Sequence, residues 1–459
     1  MVEIGSSRDG LSEAIERLRT DGVRHVVCSM VDSGGINRIK CVPLDKLARA
    51  TRSGIGISQC WATALSNDHF TATDALGGPR GDIRLLPDLA SLVQLHATPA
   101  WAWAALDQYA QDGGVFPCCQ RSFLKRMVRS ASDRGYTLQM AYEFEWYTAR
   151  VAADGSFTPI HLGPGYSSAA WAEVHELADE LLSALEAQLM AVEQFHPEFS
   201  FGQMEVSFAP SDPLIAADWN VLFRHTVRSI SARHGCRASF APVTTLGQPA
   251  GNGCHIHFSL WNPDGVNLFA EGPGVVELTE EGEAFLAGVL AELPALVALG
   301  CPTVPSYERL QPQRWAGAYE VWGHENREAA LRFIQGMAGG RRQTANMELK
   351  AIDCAGHPYL VPGAIIAAGL SGIERSLRLP EPVLVDPFEL SEAERVARGI
   401  RRLPQTLSQA SEALAGSEVL REAMGDLLFD SSVAVRRAEA EIDEGKPLEQ
   451  VVAEHLWRF

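Results

Sequence analysis

The chain has 459 residues, of which 46% are hydrophobic and 21% are charged. This balance is typical of a folded protein with a core, and it excludes a disordered or fibrous chain. Because Asp and Glu (57) outnumber Lys and Arg (39), the formal net charge is −18, which argues against binding to nucleic acid or to an anionic membrane. Any phosphorylated ligand would therefore need metal ions or a local group of arginines.

The N-terminus and the cysteines predict a cytoplasmic protein. The sequence shows neither the basic start and apolar stretch of a signal peptide nor a run of about 18 apolar residues that could span a membrane. The nine cysteines are scattered without a Cys-x-x-Cys pair, as expected for reduced thiols. We therefore predict no nucleic-acid partner, no membrane partner and a cytoplasmic location.

The first part of the chain predicts a small α+β domain over residues 1–112. Apolar spacing indicates a helix over 11–20, and two strand-like segments around a Gly-Gly turn indicate a hairpin over 24–42. Residues 51–100 are rich in Gly, Asp and Pro and are predicted to be irregular. A second, larger domain is predicted over 113–459.

The larger domain mixes strands and helices without regular βαβ alternation, which favours a mainly antiparallel α+β sheet over a doubly wound one. Strands are predicted at 136–148, 202–208, 238–242, 254–261, 329–334 and 346–353. Helices are predicted at 121–134, 169–195, 217–234 and 281–300, and across the C-terminal part from residue 362, including 417–424 and 431–444. The sequence contains no Walker-type phosphate loop and no Gly-x-Gly-x-x-Gly that opens a helix, so a nucleotide would be held by another architecture.

Carboxylates and imidazoles recur on the predicted strands, often two residues apart, which places both side chains on one face. They are Glu143 and Glu145, Glu198 and Glu205, His255 and His257, and Glu348. Each pair alone could belong to a solvated strand face. A buried face with several carboxylates is unfavourable unless a cation lies there, and a set dominated by oxygen ligands suits Mg²⁺ or Mn²⁺ better than zinc.

Three arginines follow these acids along the chain. Arg309 lies after a Ser-Tyr-Glu segment, and Arg327 and Arg332 lie in Asn-Arg-Glu-Ala-Ala-Leu-Arg. Each arginine alone could form a surface ion pair. Together with divalent metals in an acidic protein, they indicate phosphate chemistry, because both kinds of cation stabilise charge that develops on phosphoryl oxygens.

In their order and spacing these segments resemble the glutamine synthetase family, class I type. The matching segments are Glu143-x-Glu145, Glu198-x₆-Glu205, Gly251-Asn-Gly-Cys-His255-x-His257-x-Ser259, Ser306-Tyr-x-Arg309, Asn326-Arg327-x₄-Arg332 and Glu348. The resemblance covers most of residues 20–375. It implies a small N-terminal β-grasp domain, a larger catalytic domain and a ring-forming homo-oligomer, expected to be a dodecamer, whose active sites are shared between neighbouring subunits.

The resemblance also implies a role for each matching residue. One Mg²⁺ or Mn²⁺ ion would be held by Glu145, Glu198 and Glu205, and a second by Glu143, His255 and Glu348. ATP would be bound near His257, Ser259, Arg327 and Arg332, and the acid substrate near Glu145, Gly251, His255, Arg309 and Lys350. The implied reaction transfers the γ-phosphate of ATP to the side-chain carboxylate of glutamate, and an amine then displaces phosphate.

The departures from the family pattern concern the amine and acid sides of the site. Ammonia-using members carry a glutamate six residues beyond the Arg309 position to bind and deprotonate ammonium, and this chain has Trp315 there. An indole cannot accept that proton, but it can line a pocket for an organic amine. Lys350 stands in place of a substrate-binding arginine and keeps the charge without the bidentate fork, and Ala250 replaces an asparagine.

The sequence therefore predicts an ATP-dependent ligase that joins glutamate to a polyamine, ethanolamine or an alkylamine, with Arg309, Arg327 and Trp315 as its catalytic residues. A glutamate analogue as the acid remains open, and the amine is not identified. The alternatives are an ordinary glutamine synthetase that uses ammonia, a catalytically idle relative with a regulatory or structural role, and a dinuclear metallohydrolase, which would need neither the arginines nor ATP.

Overall fold

The computed structural model describes residues 8–270 and 272–459, so residues 1–7 of the predicted first domain and residue 271 of the second lie outside the described residues. The N-terminal elements are α1 (Arg8–Thr20), β1 (His25–Val31), β2 (Asn37–Pro43), α2 (Leu47–Ser53), β3 (Ile55–Ser58), β4 (Asp82–Pro87), β5 (Val93–Gln94) and β6 (Trp101–Tyr109). Their strands form one sheet in the order β2-β1-β6-β4-β3, and β5 pairs with β6. A domain boundary between residues 112 and 113 stays a prediction.

The antiparallel pairing of β1 with β2 confirms the predicted hairpin. The prediction that residues 51–100 are irregular is wrong in part, because β3, β4 and β5 lie there and pair with neighbours. Strand β4 alternates exposed and buried residues, as expected for a strand with one face on the core. The surrounding Gly, Asp and Pro residues obscured this short period-two pattern in the sequence.

The larger part of the chain is built on a second sheet. Its strands are β7 (Thr137–Val151), β8 (Phe157–Pro159), β9 (Val192–Pro197), β10 (Gln203–Phe208), β11 (Cys236–Ser239), β12 (Cys254–Trp261), β13 (Tyr319–His324), β14 (Ala329–Ile334) and β15 (Asn346–Leu349). The strand order is β13-β14-β15-β12-β7-β10-β9, and β8 and β11 also pair with β7. Among the described strands of this sheet only β13 and β14 pair in parallel, so the predicted mainly antiparallel α+β fold is confirmed.

The helices of this part are α3 (Gln120–Asp133), α4 (Ser168–Ala187), α5 (Pro213–Arg233), α6 (Glu280–Ala291), α7 (Leu293–Gly300), α8 (Ser306–Arg309), α9 (Arg341–Thr344), α10 (Leu360–Glu374), α11 (Glu392–Ala397), α12 (Leu407–Ala415), α13 (Glu418–Met424), α14 (Asp426–Ile442) and α15 (Leu448–His455). Helix α10 is buried on nearly all sides and packs against α6 and α3. A Cβ on Gly288 of α6 would lie 2.2 Å from the carbonyl oxygen of Ala368 in α10, so this close approach requires glycine.

Several predicted elements have different bounds in the structure. The helix predicted over 169–195 ends at Ala187, because the segment that follows pairs with β10 as strand β9. The helix predicted over 281–300 is two helices, α6 and α7, bent by 65°, and Pro294 lies in the first turn of α7, where its missing N–H costs least. The strand predicted over 346–353 ends at Leu349.

No single helix in residues 8–270 and 272–459 is long and apolar enough to cross a membrane. The bent pair α6 and α7 meets that length and composition only when the two helices are taken together.

A buried group of charges joins the N-terminal sheet to the helices of the larger part. We call it the junction cluster, and its members are Asp88, Asp107, Arg121, Lys125 and Asp218. Arg121 is 3% exposed and donates hydrogen bonds to all three aspartates at 2.6–2.9 Å, and Lys125 donates to Asp88 and Asp107 at 3.0 and 2.6 Å. Burial opposes the ionised form of Asp88, but the charges of Arg121 and Lys125 hold its pKa well below the usual range.

Candidate active site

A cavity of about 500 Å³ lies on one face of the second sheet. The strand register explains why residues far apart in sequence meet there, because Glu143 of β7 lies opposite His255 of β12, and Glu145 of β7 lies opposite Glu205 of β10. On the neighbouring strand β15, Glu348 lies opposite His257 of β12 on one side and opposite Arg332 of β14 on the other. Cross-strand neighbours of this kind have side chains in contact on the same face.

The alternate residues of β7 explain why its glutamates face the cavity. Phe144 and Trp146 are fully buried on the other face, where their rings pack against Phe223 at centroid distances of 4.6 and 5.4 Å. Because successive side chains of a strand point to opposite faces, this aromatic core directs Glu143 and Glu145 to the cavity side.

Three predicted ligands form a compact group, Glu143, His255 and Glu348, whose ligand atoms lie within 4.8 Å of one another. The His255 Nδ1 atom lies 3.0 Å from Glu143 Oε1 and 3.2 Å from Glu348 Oε1. Two carboxylates and one imidazole are a donor set that suits a hard divalent cation. These are the three residues that the sequence predicted to hold the second metal ion, and their role as its ligands stays a prediction.

Two cations contact Glu348 directly. Arg332 Nη1 donates to its Oε2 atom at 3.0 Å, and Lys350 Nζ donates to its Oε1 atom at 3.1 Å. Burial opposes ionisation, but the charges of Lys350 and the nearby histidines lower the pKa of Glu348 to about 2. Both cations also line the cavity, so the same side chains that balance Glu348 can face a bound phosphate or carboxylate.

A second compact group contains a residue that the sequence reasoning missed. We call His196, Glu198 and Glu205 the acid group, and their ligand atoms also lie within 4.8 Å of one another. The imidazole of His196 lies 3.3 Å from Glu198 Oε2 and 3.2 Å from Glu205 Oε1. Although burial opposes protonation, these two carboxylates raise the pKa of His196 to about 10. The His-x-Glu spacing of residues 196 and 198 was the signal that could have identified it.

Glu145 lines the same cavity but lies outside the acid group. Its Oε2 atom accepts hydrogen bonds from the Gly253 N–H and the Gln203 side-chain amide, both at 2.9 Å. Burial raises the pKa of Glu145 and of Glu205 to about 7, and the neighbouring carboxylates add to the rise. A divalent cation would supply the charge that these carboxylates lack. The role of Glu145 as a ligand beside Glu198 and Glu205 stays a prediction.

The predicted acid-substrate side of the cavity contains Gly251 and Arg309. Arg309 is 6% exposed, and its Nη2 atom lies 3.2 Å from His255 Nε2, while no described residue accepts a hydrogen bond from its Nη1 atom. A Cβ on Gly251 would lie 2.3 Å from the Pro242 carbonyl oxygen and 3.1 Å from Arg309 Cγ, so glycine lets the backbone pass close to the arginine here. A buried guanidinium with an unused N–H donor can bind a substrate carboxylate.

Trp315 lies at the rim of the cavity and is 62% exposed. The guanidinium carbon of Arg327 is 5.7 Å from the centre of its ring. Gln313 and Trp315 have φ values of 59° and 52°, in the left-handed region that non-glycine residues rarely adopt. The carboxylate of Glu328 accepts a hydrogen bond from the Trp315 N–H at 3.0 Å, so Glu328, which the sequence reasoning also missed, holds this strained loop.

His257 and Ser259 share the β12 face with His255 but are not among the described residues that line this cavity. The Nδ1 atom of His257 lies 2.9 Å from Asn346 Oδ1, and its Nε2 atom lies 3.6 Å from Glu143 Oε2. Ser259 accepts a hydrogen bond from the Trp261 indole at 2.8 Å. Their roles in nucleotide binding stay predictions.

Comparisons with known proteins match nearly the whole chain to proteins of one family. A model of the glutamine synthetase N-terminal domain matches residues 9–113, and a model of the glutamine synthetase catalytic domain matches residues 117–452. A gamma-glutamylpolyamine synthetase of Streptomyces coelicolor is 47% identical over 444 residues, which cover 96% of this chain and 95% of that protein. A glutamine synthetase of Halobacterium salinarum is 31% identical over 429 residues, which cover 92% and 93% of the two chains.

Solved structures are also similar to this chain over nearly its whole length. A crystal structure of a glutamine synthase homologue has a TM-score of 0.84 at 32% identity, with 95% of this chain and 99% of that chain covered. GmaS in complex with ADP has a TM-score of 0.82 at 29% identity, with 95% and 97% covered.

Proposed function

This chain belongs to the glutamine synthetase family, and we propose that it joins the γ-carboxylate of glutamate to a polyamine through a γ-glutamyl phosphate. As a member of that family it is an ATP-dependent ligase that forms a carbon–nitrogen bond and uses small-molecule substrates. The name of the relative that is 47% identical supports the choice of a polyamine among organic amines. The observation that carries the proposal is the exposed indole of Trp315 at the rim of an acid-lined cavity.

In the first step an oxygen of the γ-carboxylate attacks the γ-phosphorus of ATP, and ADP leaves. Arg309 has free donor capacity beside His255 and would hold the carboxylate of the acid substrate. Arg327 and Arg332 line the same cavity and would face the transferred phosphoryl group, where fixed cations stabilise the developing charge.

In the second step the protonated amine first loses a proton to water, and its free electron pair then attacks the carbonyl carbon of the γ-glutamyl phosphate. Phosphate leaves with the electrons of the broken C–O bond, and the nitrogen loses its second proton to give the amide. Trp315 would pack against the methylene chain or attract an ammonium group to its ring face.

We propose that two or more Mg²⁺ or Mn²⁺ ions bind in the active site. The carboxylates and imidazoles of the acid group and of Glu143, His255 and Glu348 fit such ions in ligand type and separation. Bound divalent ions neutralise phosphate charge and polarise the phosphoryl oxygens. Removal of metal by a chelator is expected to abolish phosphate release, and added Mg²⁺ or Mn²⁺ is expected to restore it.

We also propose a ring-forming homo-oligomer in which the 51–90 region of one chain completes the site of the next, and a cytoplasmic location. The family resemblance supports the shared site. Light scattering under assay conditions tests the assembly, and a monomeric mass in a fully active sample would contradict it.

The function is tested by phosphate release at fixed glutamate, ATP and Mg²⁺. The amines compared are ammonium, ethanolamine, putrescine, spermidine and a short alkylamine, and mass spectrometry identifies the amide product. We expect release with putrescine or spermidine that requires glutamate. Rapid release with ammonium and none with any organic amine would show an ordinary glutamine synthetase instead.

A further inference from the structure

A second cavity, of about 250 Å³, lies between the β1–β2 hairpin and helix α5. Its walls carry Arg224 and Arg228 of α5, Arg458 near the end of the chain, and the amides Asn37 and Asn220. It shares no lining residue with the active-site cavity, and no Asp or Glu is among the described residues that line it. The charged side chains of this wall are therefore all cationic, in a chain whose net charge is −18.

The two helix arginines lie side by side. They are four residues apart, on one face of α5 in successive turns, and their guanidinium carbons are 5.5 and 5.2 Å from the centre of the same Phe240 ring. Arg224 is 6% exposed, and its Nε atom donates to Asn220 Oδ1 at 2.9 Å. Its Nη2 atom is buried and has no hydrogen-bond partner among the described residues.

The local charges do not cancel. Within residues 8–270 and 272–459, neither Arg224 nor Arg228 has an ion pair with a carboxylate, and Arg458 has only Glu454, at 3.6 Å. Burial and the charges of Arg224 and Arg237 lower the pKa of Arg228 to about 10. Like charges four residues apart on a helix repel each other, and a buried cation without a partner is costly. Both costs fall when an anion enters the cavity.

We propose that this cavity binds a phosphate group, either as inorganic phosphate or as a small phosphomonoester, through Arg224, Arg228 and Arg458. Guanidinium groups bind phosphate oxygens through paired N–H donors, and three cations match a dianion better than they match a single carboxylate. The volume of about 250 Å³ far exceeds the roughly 30 Å³ share of one water molecule, so the cavity has room for phosphate and a small attached group. The proposal does not depend on the catalytic function.

The position of the site predicts what binding does to the protein. Asn37 belongs to β2 of the N-terminal sheet, and the two arginines belong to α5 of the larger part. A phosphate held between them would tie these two parts together and remove the repulsion within α5. Phosphate is therefore expected to raise the thermal unfolding midpoint of the protein.

The test uses the full chain and isothermal titration with inorganic phosphate and, separately, with glycerol phosphate. Because phosphate is also a product of the proposed reaction, the titrations are repeated in a variant with Arg327→Gln and Arg332→Gln, which weakens phosphate binding at the active site. We expect saturable binding that persists in this variant and weakens at least about tenfold on adding Arg228→Gln, a loss of about 1.4 kcal/mol. Arg228→Lys is expected to restore part of it.

Arg237→Gln is the matched control. Its charge lies near Arg228, but its guanidinium lies 4.3 Å from the Trp457 ring and it does not line the cavity, so less than about threefold weakening is expected from screened charge alone. Because Arg224 is buried, its replacement is expected to impair folding, and Arg458→Gln provides the second cavity variant. Tighter binding of glycerol phosphate would assign the site to phosphomonoesters, and equal or tighter binding of inorganic phosphate would assign it to the free ion.

Two results would overturn the proposal. The first is phosphate binding that disappears in the active-site variant or is unchanged by Arg228→Gln, because the ion then binds elsewhere. The second is an absence of phosphate binding together with a change in oligomeric mass in Arg228→Gln, because the arginines then contact another copy of the chain.

Discussion

The junction cluster and the acid group are both partly buried sets of charges, but they differ in how fully they are neutralised within the chain. In the junction cluster each aspartate accepts hydrogen bonds from Arg121. Burial raises the pKa of Asp88, but the charges of Arg121 and Lys125 lower it by more, so it lies well below its usual range. At Glu205 of the acid group and at Glu145 beside it the balance is reversed, because burial raises the pKa of both carboxyl groups to about 7.

This difference distinguishes the structural ion pairs of the junction cluster from the carboxylates of the cavity, which we propose bind a ligand. Breaking a buried and balanced ion pair leaves an uncompensated charge and destabilises the protein. A buried carboxylate without a cation costs stability in the ligand-free protein, and such perturbed groups concentrate at functional sites. The arginines of the second cavity show the same imbalance with the opposite sign.

The largest expected effect is on catalysis. Glu205→Gln removes a proposed metal ligand, and kcat/KM for phosphate release is expected to fall at least about 10³-fold, since a metal ion contributes several kcal/mol to charge stabilisation. The thermal midpoint of the metal-free protein is expected to rise, because a poorly balanced carboxylate is lost, and Mn²⁺ is expected to stabilise the variant less than the original chain. Glu193→Gln, an exposed neighbour on β9, is the control and is expected to change neither property.

The second effect concerns folding stability. Arg121→Gln is expected to lower the free energy of unfolding by about 3–5 kcal/mol, because two buried aspartates and the partly buried Asp88 lose their shared cation. Arg134→Gln breaks an exposed ion pair with Glu374 and is expected to cost less than about 1 kcal/mol. Urea unfolding followed by circular dichroism measures both. Equal losses in the two variants would contradict the comparison, as would a rescue of Arg121→Gln by Mn²⁺.

The third effect concerns the choice of amine. Trp315→Glu restores a proton acceptor at the cavity rim, and the ratio of kcat/KM for ammonium to that for putrescine is expected to rise about 10–100-fold. Trp315→Phe keeps an apolar ring and is expected to retain the preference for the organic amine. An unchanged ratio in Trp315→Glu would show that the indole does not select the amine.

A smaller effect is expected from the loop support. Glu328→Gln replaces a charged acceptor of the Trp315 N–H by a neutral one, which is expected to cost about 1 kcal/mol and to raise the KM for the amine about fivefold. The KM values for ATP and glutamate are expected to stay the same, which distinguishes loop positioning from general destabilisation. A uniform change in all three KM values would argue against this role.

The last prediction concerns the pH dependence of stability in the metal-free protein. Glu145 and Glu205 have a pKa of about 7 in the folded chain, above the usual value of about 4.3 in an unfolded one. These two groups therefore bind more protons in the folded state than in the unfolded state between these values, and their contribution to stability falls as the pH rises from about 4.5 to 7. The thermal midpoint of the original chain, measured relative to that of Glu205→Gln, is expected to decrease over that window without metal, and saturating Mn²⁺ is expected to flatten this difference. A difference that increases over the same window without metal would contradict the assignment of Glu205 as a poorly balanced acid.

Much of the site could be predicted from local patterns. The i, i+2 spacing on strands indicated Glu143, Glu145 and His255 because alternation along a strand is a local property of the backbone. The motif order then linked these residues to Glu348, Arg309, Arg327 and Arg332 through the family resemblance. The mixed α+β class could be predicted from the irregular order of strands and helices, because the periodicity that indicates each element is also a local property of the chain.

Other features required contacts that a single segment does not encode. The end of the helix predicted over 169–195 forms part of β9 instead, and the pairing of β9 with β10 places His196 opposite Glu205. The hydrogen bonds that Glu145 accepts come from Gln203 and Gly253, on other segments.

The sequence by itself therefore indicated which residues are candidates for metal and phosphate binding, most of them on or beside predicted strands. Only the tertiary structure decided which of these charges are balanced. Arg332 and Lys350 neutralise Glu348. Arg224 and Arg228 both lie over the Phe240 ring, and neither forms an ion pair with a carboxylate of the described residues. The physical reason is that periodicity depends on neighbours along the chain, whereas burial and ion pairing depend on neighbours in space.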